Sequence, residues 1–140
     1  MAMKPRSTHR GQAGHGAVHR PGPAAGVVEA RSKVWLERGG KVVLSDWRVE
    51  LLEAIDQTGS LARAAEKINV PYRTAWYKLR EVEEQSGLRL LETQSGGAEG
   101  GHSNLTLDAR RLIERFRRVR AGVAETVEQR FRAEFGELLQ

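Results

Sequence analysis

The chain has 140 residues, 39% of them hydrophobic and none of them cysteine, so it can build one modest core and has no disulfides, thiol chemistry or cysteine-held zinc. No run nears the roughly 18 apolar residues of a membrane span, and the opening stretch Met1–Gly16 lacks the apolar centre of a secretory signal; a cytoplasmic location without membrane contact is therefore expected. The net charge of +5 belongs to the leading segment, where Lys4, Arg6, Arg10, Arg20, Arg31 and Lys33 face Glu29 alone, while the remainder is balanced at 17 basic and 17 acidic residues.

Residues 1–30 are rich in Gly, Pro, Ala, His and Arg and show no periodicity, which predicts a disordered basic tail suited to gripping phosphates. His9, His15 and His19 match no standard metal-ligand spacing, so no metal and no other cofactor is assigned. Lys33–Glu37 and Lys41–Ser45 are short β-rich runs around Gly39 and Gly40, the pattern of a hairpin. From about Asp46 to Thr58 the pattern turns helical, with Trp47, Leu51, Leu52 and Ile55 on one face. Ser45 or Asp46 can cap its start, and Gly59 stops it. Ser60 is placed to cap a second helix carrying Leu61, Ala64, Ala65 and Ile68. Asn69, Val70 and Pro71 make a tight turn, and a third helix is predicted from about Pro71 to Ser86, burying Ala75, Leu79 and Val82.

Leu88–Thr93 reads as a strand, Gln94–Ser103 as a polar, glycine-rich tip, and Asn104–Thr106 as the returning strand. Thr106 can cap a last helix of up to about 33 residues, near 50 Å long at 1.5 Å per residue. Its apolar stripe is Leu112, Phe116, Val119, Val123, Val127, Phe131, Phe135 and Leu138. The stripe is longer than one small domain covers, so a second copy is expected against it, with Phe116, Val119, Val123, Val127 and Phe131 as pairing residues. The steps along it are too irregular for a regular heptad coil.

This order defines the expected fold class: mainly α with small β-hairpins, a winged helix-turn-helix over residues 31–106, and a long C-terminal dimerisation helix over 107–140. A helix-turn-helix needs a second helix whose first two turns are polar and unobstructed, so that side chains reach base edges in the major groove. Tyr72, Arg73, Thr74, Tyr77 and Lys78 fill that role: Arg73 forks onto guanine or pairs with phosphate, Thr74 and Tyr77 hydrogen-bond, and Lys78 suits a phosphate. Ala75 packs against the preceding helix. Glu81, Glu83 and Glu84 confine positive charge to the start of the helix, which suits entry into DNA by its N-terminus. Trp76 is expected partly buried at the core boundary, and Trp35 and Trp47 in the core. Ser60, Gly97, Gly100 and His102 complete the expected DNA-contacting set. Arg110, Arg111, Arg115, Arg117, Arg118 and Arg120 crowd the first half of the last helix, where a role on DNA backbone and a solvated face are equally open.

The segment Leu51–Ala65, the Tyr-Arg-x-Ala-Trp run at 72–76, and the wing Leu91–Gly101 followed by Leu105 and Thr106 resemble the DNA-binding domain of the molybdate-responsive regulator ModE family. More distantly, Val82–Leu91 resembles the end of a LysR-type helix-turn-helix and the strand after it. The resemblance spans about residues 33–125 and implies a sequence-specific, DNA-binding transcriptional regulator acting on double-stranded DNA as a homodimer. Pro71 stands where the family usually has a Ser-like cap, and Ala109 where a Gly often follows the Leu-Thr pair. No Ser-Ala-Arg-Asn type oxyanion motif occurs, so a regulator without a molybdate-binding module and without a small-molecule effector of its own is expected.

Other chemistry fits less well. Gly96–Ser103 nearly matches phosphate-loop spacing, but His102 stands where the phosphate-holding Lys belongs and no helix follows directly. His102 is the one histidine outside the tail, and no nucleophile, base and orienting group converge, so no enzyme is expected. The competing functions are a winged-helix protein-interaction module, favoured by the near-neutral folded part, and a non-specific architectural DNA binder using the tail.

Overall fold

The computed structural model describes residues 26–94 and 102–139. The chain runs β1 (Trp35–Arg38), β2 (Lys41–Ser45), α1 (Asp46–Thr58), α2 (Leu61–Lys67), α3 (Tyr72–Ser86), β3 (Leu91–Gln94), β4 (His102–Leu105) and α4 (Leu107–Phe135). β1 pairs antiparallel with β2, and β3 with β4, as two separate two-stranded sheets. This is a winged helix-turn-helix with a long C-terminal helix.

Local chemistry sets most boundaries. Gly39 and Gly40 both take positive φ, 57° and 78°, the backbone that a two-residue hairpin turn of the primed type demands. The register of this hairpin slips between Leu36 and Glu37, a bulge that adds twist beside the edge. Ser45 accepts a hydrogen bond from the Arg48 N–H and so caps α1, settling the choice between Ser45 and Asp46. Gly59 ends α1 at φ 72°, its N–H donating to the Ile55 carbonyl. Ser60 caps α2 by accepting from the Arg63 N–H. Asn69, at φ 57°, carries the chain through the turn, where its short amide side chain tolerates the left-handed region. Pro71 sits just ahead of α3 in extended geometry, so the helix begins at Tyr72 with no side-chain cap.

The core gathers one face from each helix. Leu51, Leu52 and Ile55 of α1, Ala64 and Ala65 of α2, and Ala75, Leu79 and Val82 of α3 are buried together with Leu44, Leu90 and Leu105. Ala64 and Ala75 are fully buried, and their lack of bulk lets α2 and α3 approach closely. Each fully buried Leu or Val contributes about 1.5–3 kcal/mol. α4 adds Ala109, Ile113 and Phe116 to the same core.

Three expectations need correction. Trp35 is half-exposed, not a core residue; its indole N–H donates to Glu37 across the outer face of the hairpin. Trp47 is half-buried against the core. Phe116 is 3% exposed within the single chain, so it belongs to the domain core and has no surface left to offer a second copy.

Candidate nucleic-acid interface

α3 is held by its apolar face, and its opposite face is open from the first turn. Tyr72, Arg73, Thr74, Trp76 and Tyr77 are exposed around the buried Ala75. The exposed side chains support one another. The Arg73 guanidinium lies over the Tyr77 ring, 5.8 Å from its centroid. The Trp76 and Tyr77 rings meet edge to face at 5.2 Å, and the Arg80 guanidinium lies 5.2 Å over the Trp76 ring. Such cation–π contacts contribute about 0.5–1 kcal/mol at exposed sites. Their larger effect here is to restrict flexible arginines to one side of the helix. Trp76 is 39% exposed and, among the described residues, is not one of those packed against the core, so it stands more open than the partly buried place expected of it.

Lys78 differs from its expected role. Its ammonium lies 3.3 Å from the Glu81 carboxylate, which also accepts from Arg48 at 2.8 Å. Burial would push the Glu81 carboxyl up, but hydrogen bonds from Arg48 and Lys78 and their two charges outweigh it and hold the group below the usual carboxylate range. Lys78 therefore starts from an ion pair within α3, to the same Glu81 that Arg48 ties to α1, where a free phosphate-seeking cation is expected from the sequence.

The wing hairpin is docked on the helix-turn-helix by backbone. The Ser103 N–H donates to the Gly59 carbonyl at 2.8 Å, which sets β4 against the corner between α1 and α2. His102 consequently stands beside Gly59, its Nδ1 3.7 Å from the position a Cβ would take there, next to Ser60, whose hydroxyl is committed to capping α2. On the other strand, the Glu83 carboxylate accepts from the Leu90 N–H, and the Thr106 hydroxyl donates to the Arg89 carbonyl. Gly97 and Gly100 lie outside the described residues.

Sequence reasoning missed two arrangements. Arg80 and Arg89 line the groove between α3 and the wing. Along α4, Arg110, Arg117 and Arg120 pair with Asp56, Glu53 and Asp46 of α1, and Arg110 does so through its two terminal guanidinium nitrogens, Nη1 and Nη2, at 3.0 and 2.7 Å. The acids at 46, 53 and 56 and the arginines at 120, 117 and 110 form a ladder between two antiparallel helices, but gaps of 7 and 3 on α1 face gaps of 3 and 7 on α4, so spacing alone did not give the pairs. These three arginines are thus fasteners within the domain. Farther along α4, Val119 is exposed, and Val123, Val127 and Phe131 are half-buried. The Phe131 and Phe135 rings stack at 5.7 Å on this stretch.

This is the build of a winged helix-turn-helix protein whose third helix leaves one face open. Residues 48–110 match the family described as bacterial regulatory helix-turn-helix protein, lysR family. Its relatives include the molybdenum transport protein ModE of Azotobacter vinelandii, 36% identical over 74 residues, covering 53% of this chain and 27% of that protein. The transcriptional regulator ModE of Haemophilus influenzae is 42% identical over 67 residues, covering 48% and 26%. The molybdenum-pterin-binding protein MopB of Rhodobacter capsulatus is 34% identical over 92 residues, covering 66% and 34%. The chain thus spans between a quarter and about a third of the length of these relatives. Among solved structures, a chain of the CbnR_DBD–DNA complex matches with a TM-score of 0.47 and 23% identity, covering 64% of this chain and 97% of that one. Among the described residues, no helix is long and apolar enough to cross a membrane.

Proposed function

We propose that this chain is a sequence-specific transcriptional regulator that binds double-stranded DNA in the cytoplasm as a pair of copies. The observation that carries the reading is the two-faced α3. Ala75, Leu79 and Val82 anchor it in the core, while Tyr72, Arg73, Thr74 and Tyr77 stand exposed on its first two turns. In that arrangement Arg73 is the residue best placed to fork onto a guanine edge. The kinship with two proteins named as ModE, one of them a transcriptional regulator, supports the same reading.

Pairing rests on α4. The helix has 29 residues, about 43 Å at 1.5 Å per residue, and only its first third is buried against the domain. Val119, Val123, Val127 and Phe131 follow on a surface that a second copy would cover, setting two recognition helices about 34 Å, one DNA turn, apart or a multiple of it. No effector is assigned to residues 1–140, and calorimetry with molybdate is expected to register no binding.

The test is enrichment of bound sites from random DNA. A recurrent, roughly palindromic site is expected. Arg73→Ala should weaken binding to that site by about 1–3 kcal/mol without lowering the melting temperature. Enrichment of no sequence above background would leave a non-specific binder or a protein-interaction module in its place.

A further inference from the structure

We infer that the groove between α3 and the wing is a seat for one phosphate of the DNA backbone, gripped by Arg80 from the helix and Arg89 from the strand lead-in. The inference rests on the DNA-binding reading above and adds a contact that reading does not contain. The groove has a volume of about 250 Å³, and Arg80, Arg89, Thr93 and Ser103 are among its lining residues. Two guanidiniums and two hydroxyls give it only donors that suit an anionic oxygen, apart from Glu83.

Glu83 is already occupied. Its carboxylate accepts from the Leu90 N–H at 3.1 Å and stands 3.7 Å from Arg80. It therefore acts as a brace for both walls, and its charge is largely answered before any ligand arrives. Arg80 is held from the other side by the Trp76 ring. A guanidinium has five N–H donors in a planar fork; one loose contact to Glu83 and one face on Trp76 leave most of that fork available. Arg89 is exposed and has no ion-pair partner among the described residues. Its backbone is fixed, because its carbonyl accepts from the Thr106 hydroxyl at 2.6 Å and the next carbonyl, of Leu90, accepts from the Thr106 N–H at 3.0 Å. Both arginines thus project from anchored backbone, which lowers the ordering cost of a two-armed grip.

The groove also continues the reading face. Tyr72 and Trp76 line both this groove and the exposed aromatic patch around Arg73. A duplex seated with its major groove on Arg73 must carry one strand past the edge of α3, and this slot is the cationic channel on that edge. The contact carries no base information, so it sets register and affinity but not sequence preference.

The experiment uses the whole chain and its enriched site, with Arg80→Gln and Arg89→Gln made together. Each bound protomer should lose one neutralised phosphate, lowering the slope of log affinity against log salt by about 0.9 per protomer. Arg118→Gln, which removes an exposed charge paired to Glu114 on α4, should leave the slope unchanged. The location is tested with sites carrying a neutral methylphosphonate at single positions. One position per half-site should weaken the unsubstituted chain and have no further effect on the double variant. A double variant with the parent slope, or one that loses sequence preference, would overturn the phosphate seat while leaving the regulator reading intact. A parent chain that binds no DNA would overturn both.

Discussion

Two phenylalanines on one helix give a direct test of how α4 divides its work. Phe116 is 3% exposed in the single chain and packs in the core with Ile113 and Ala109; Phe131 lies four turns on, half-exposed and stacked only on Phe135. Truncating a buried Phe to Ala costs about 3–5 kcal/mol, from lost transfer energy and the cavity left behind. Domains of this kind have about 5–15 kcal/mol in total, so Phe116→Ala removes a large share. At about 4–8 °C per kcal/mol for a small domain, the melting temperature should fall by at least ~12 °C. Phe131→Ala removes nothing from the single-chain core. It should weaken self-association instead, flattening the dependence of melting temperature on protein concentration that a folding-linked dimer shows. Circular-dichroism melts at two concentrations, with sedimentation at micromolar protein, separate the two roles. A Phe116→Ala chain melting within about 4 °C of the parent would refute the core assignment, since about 1 kcal/mol is too little for a filled aromatic site. A Phe131→Ala chain that sediments as the parent does would refute the pairing face.

Deleting residues 1–30 removes Lys4, Arg6, Arg10 and Arg20 with Glu29, a net of +3 out of the +5; it should lower affinity for random DNA and flatten its salt dependence while leaving site preference intact, as read by filter binding with competitor. Glu81 gives a pH test: its folded pKa is depressed below the ordinary 4.5, so its contribution is fully present above that value and is lost as pH falls through the folded value. The stability gap between the parent and Glu81→Gln, measured by urea unfolding, should be constant near neutrality and close in acid. Replacing Arg110, Arg117 and Arg120 together by Ala breaks three pairs whose arginines are 52–60% exposed. Each such pair contributes about 0–1 kcal/mol, so melting should change little, while the enriched sites should tolerate a wider range of half-site spacing; an unchanged spacing preference would show that the ladder does not set the angle of α4.

Where the boundaries were local, the sequence was sufficient. α1 falls at Asp46–Thr58, as expected, because Ser45 and Gly59 fix its two ends by chemistry within a few residues. The turn into α3 was equally readable from Asn69 and Pro71, although Pro71 proved to stand just outside the helix. The first wing strand was legible only in part. Leu88–Thr93 alternates well enough to read as strand, yet pairing starts at Leu91, because the Leu90 N–H goes to Glu83 and the Arg89 carbonyl to Thr106. Those partners lie 7 and 17 residues away, outside any window of periodicity. Trp35 shows the same limit. A hairpin pattern reports two faces but not whether another element covers either, and here β1 is exposed on both. On α4 the apolar stripe was visible, but where the domain stops covering it was not. That limit depends on where α1 ends in space, and it placed Phe116 inside and Val119 outside.

The balanced charge of the folded part acquires a meaning once its arginines are located. Arg48 and Lys78 close on Glu81, and Arg110, Arg117 and Arg120 close on α1. Apart from Lys78, whose pair lies within α3, these cations fasten helices to one another, and all of them have an acid close by. Arg73, Arg80 and Arg89 stand around α3 and the wing, where Glu83 is engaged by Leu90 and Arg80. A domain with zero net charge can therefore present a positive end, because neutralisation is spent in its interior seams and along its back. Such a domain gains little from long-range attraction, which depends on summed charge and is screened beyond about 10 Å at 0.1 M salt. On the proposed function, its affinity would come from short-range contacts around α3 and from doubling those contacts through α4, with the tail supplying non-specific attraction. On that same function, the division would follow the chain in order: a charged segment to gather DNA, a neutral domain to read it, and a helix to make two weak readings act as one.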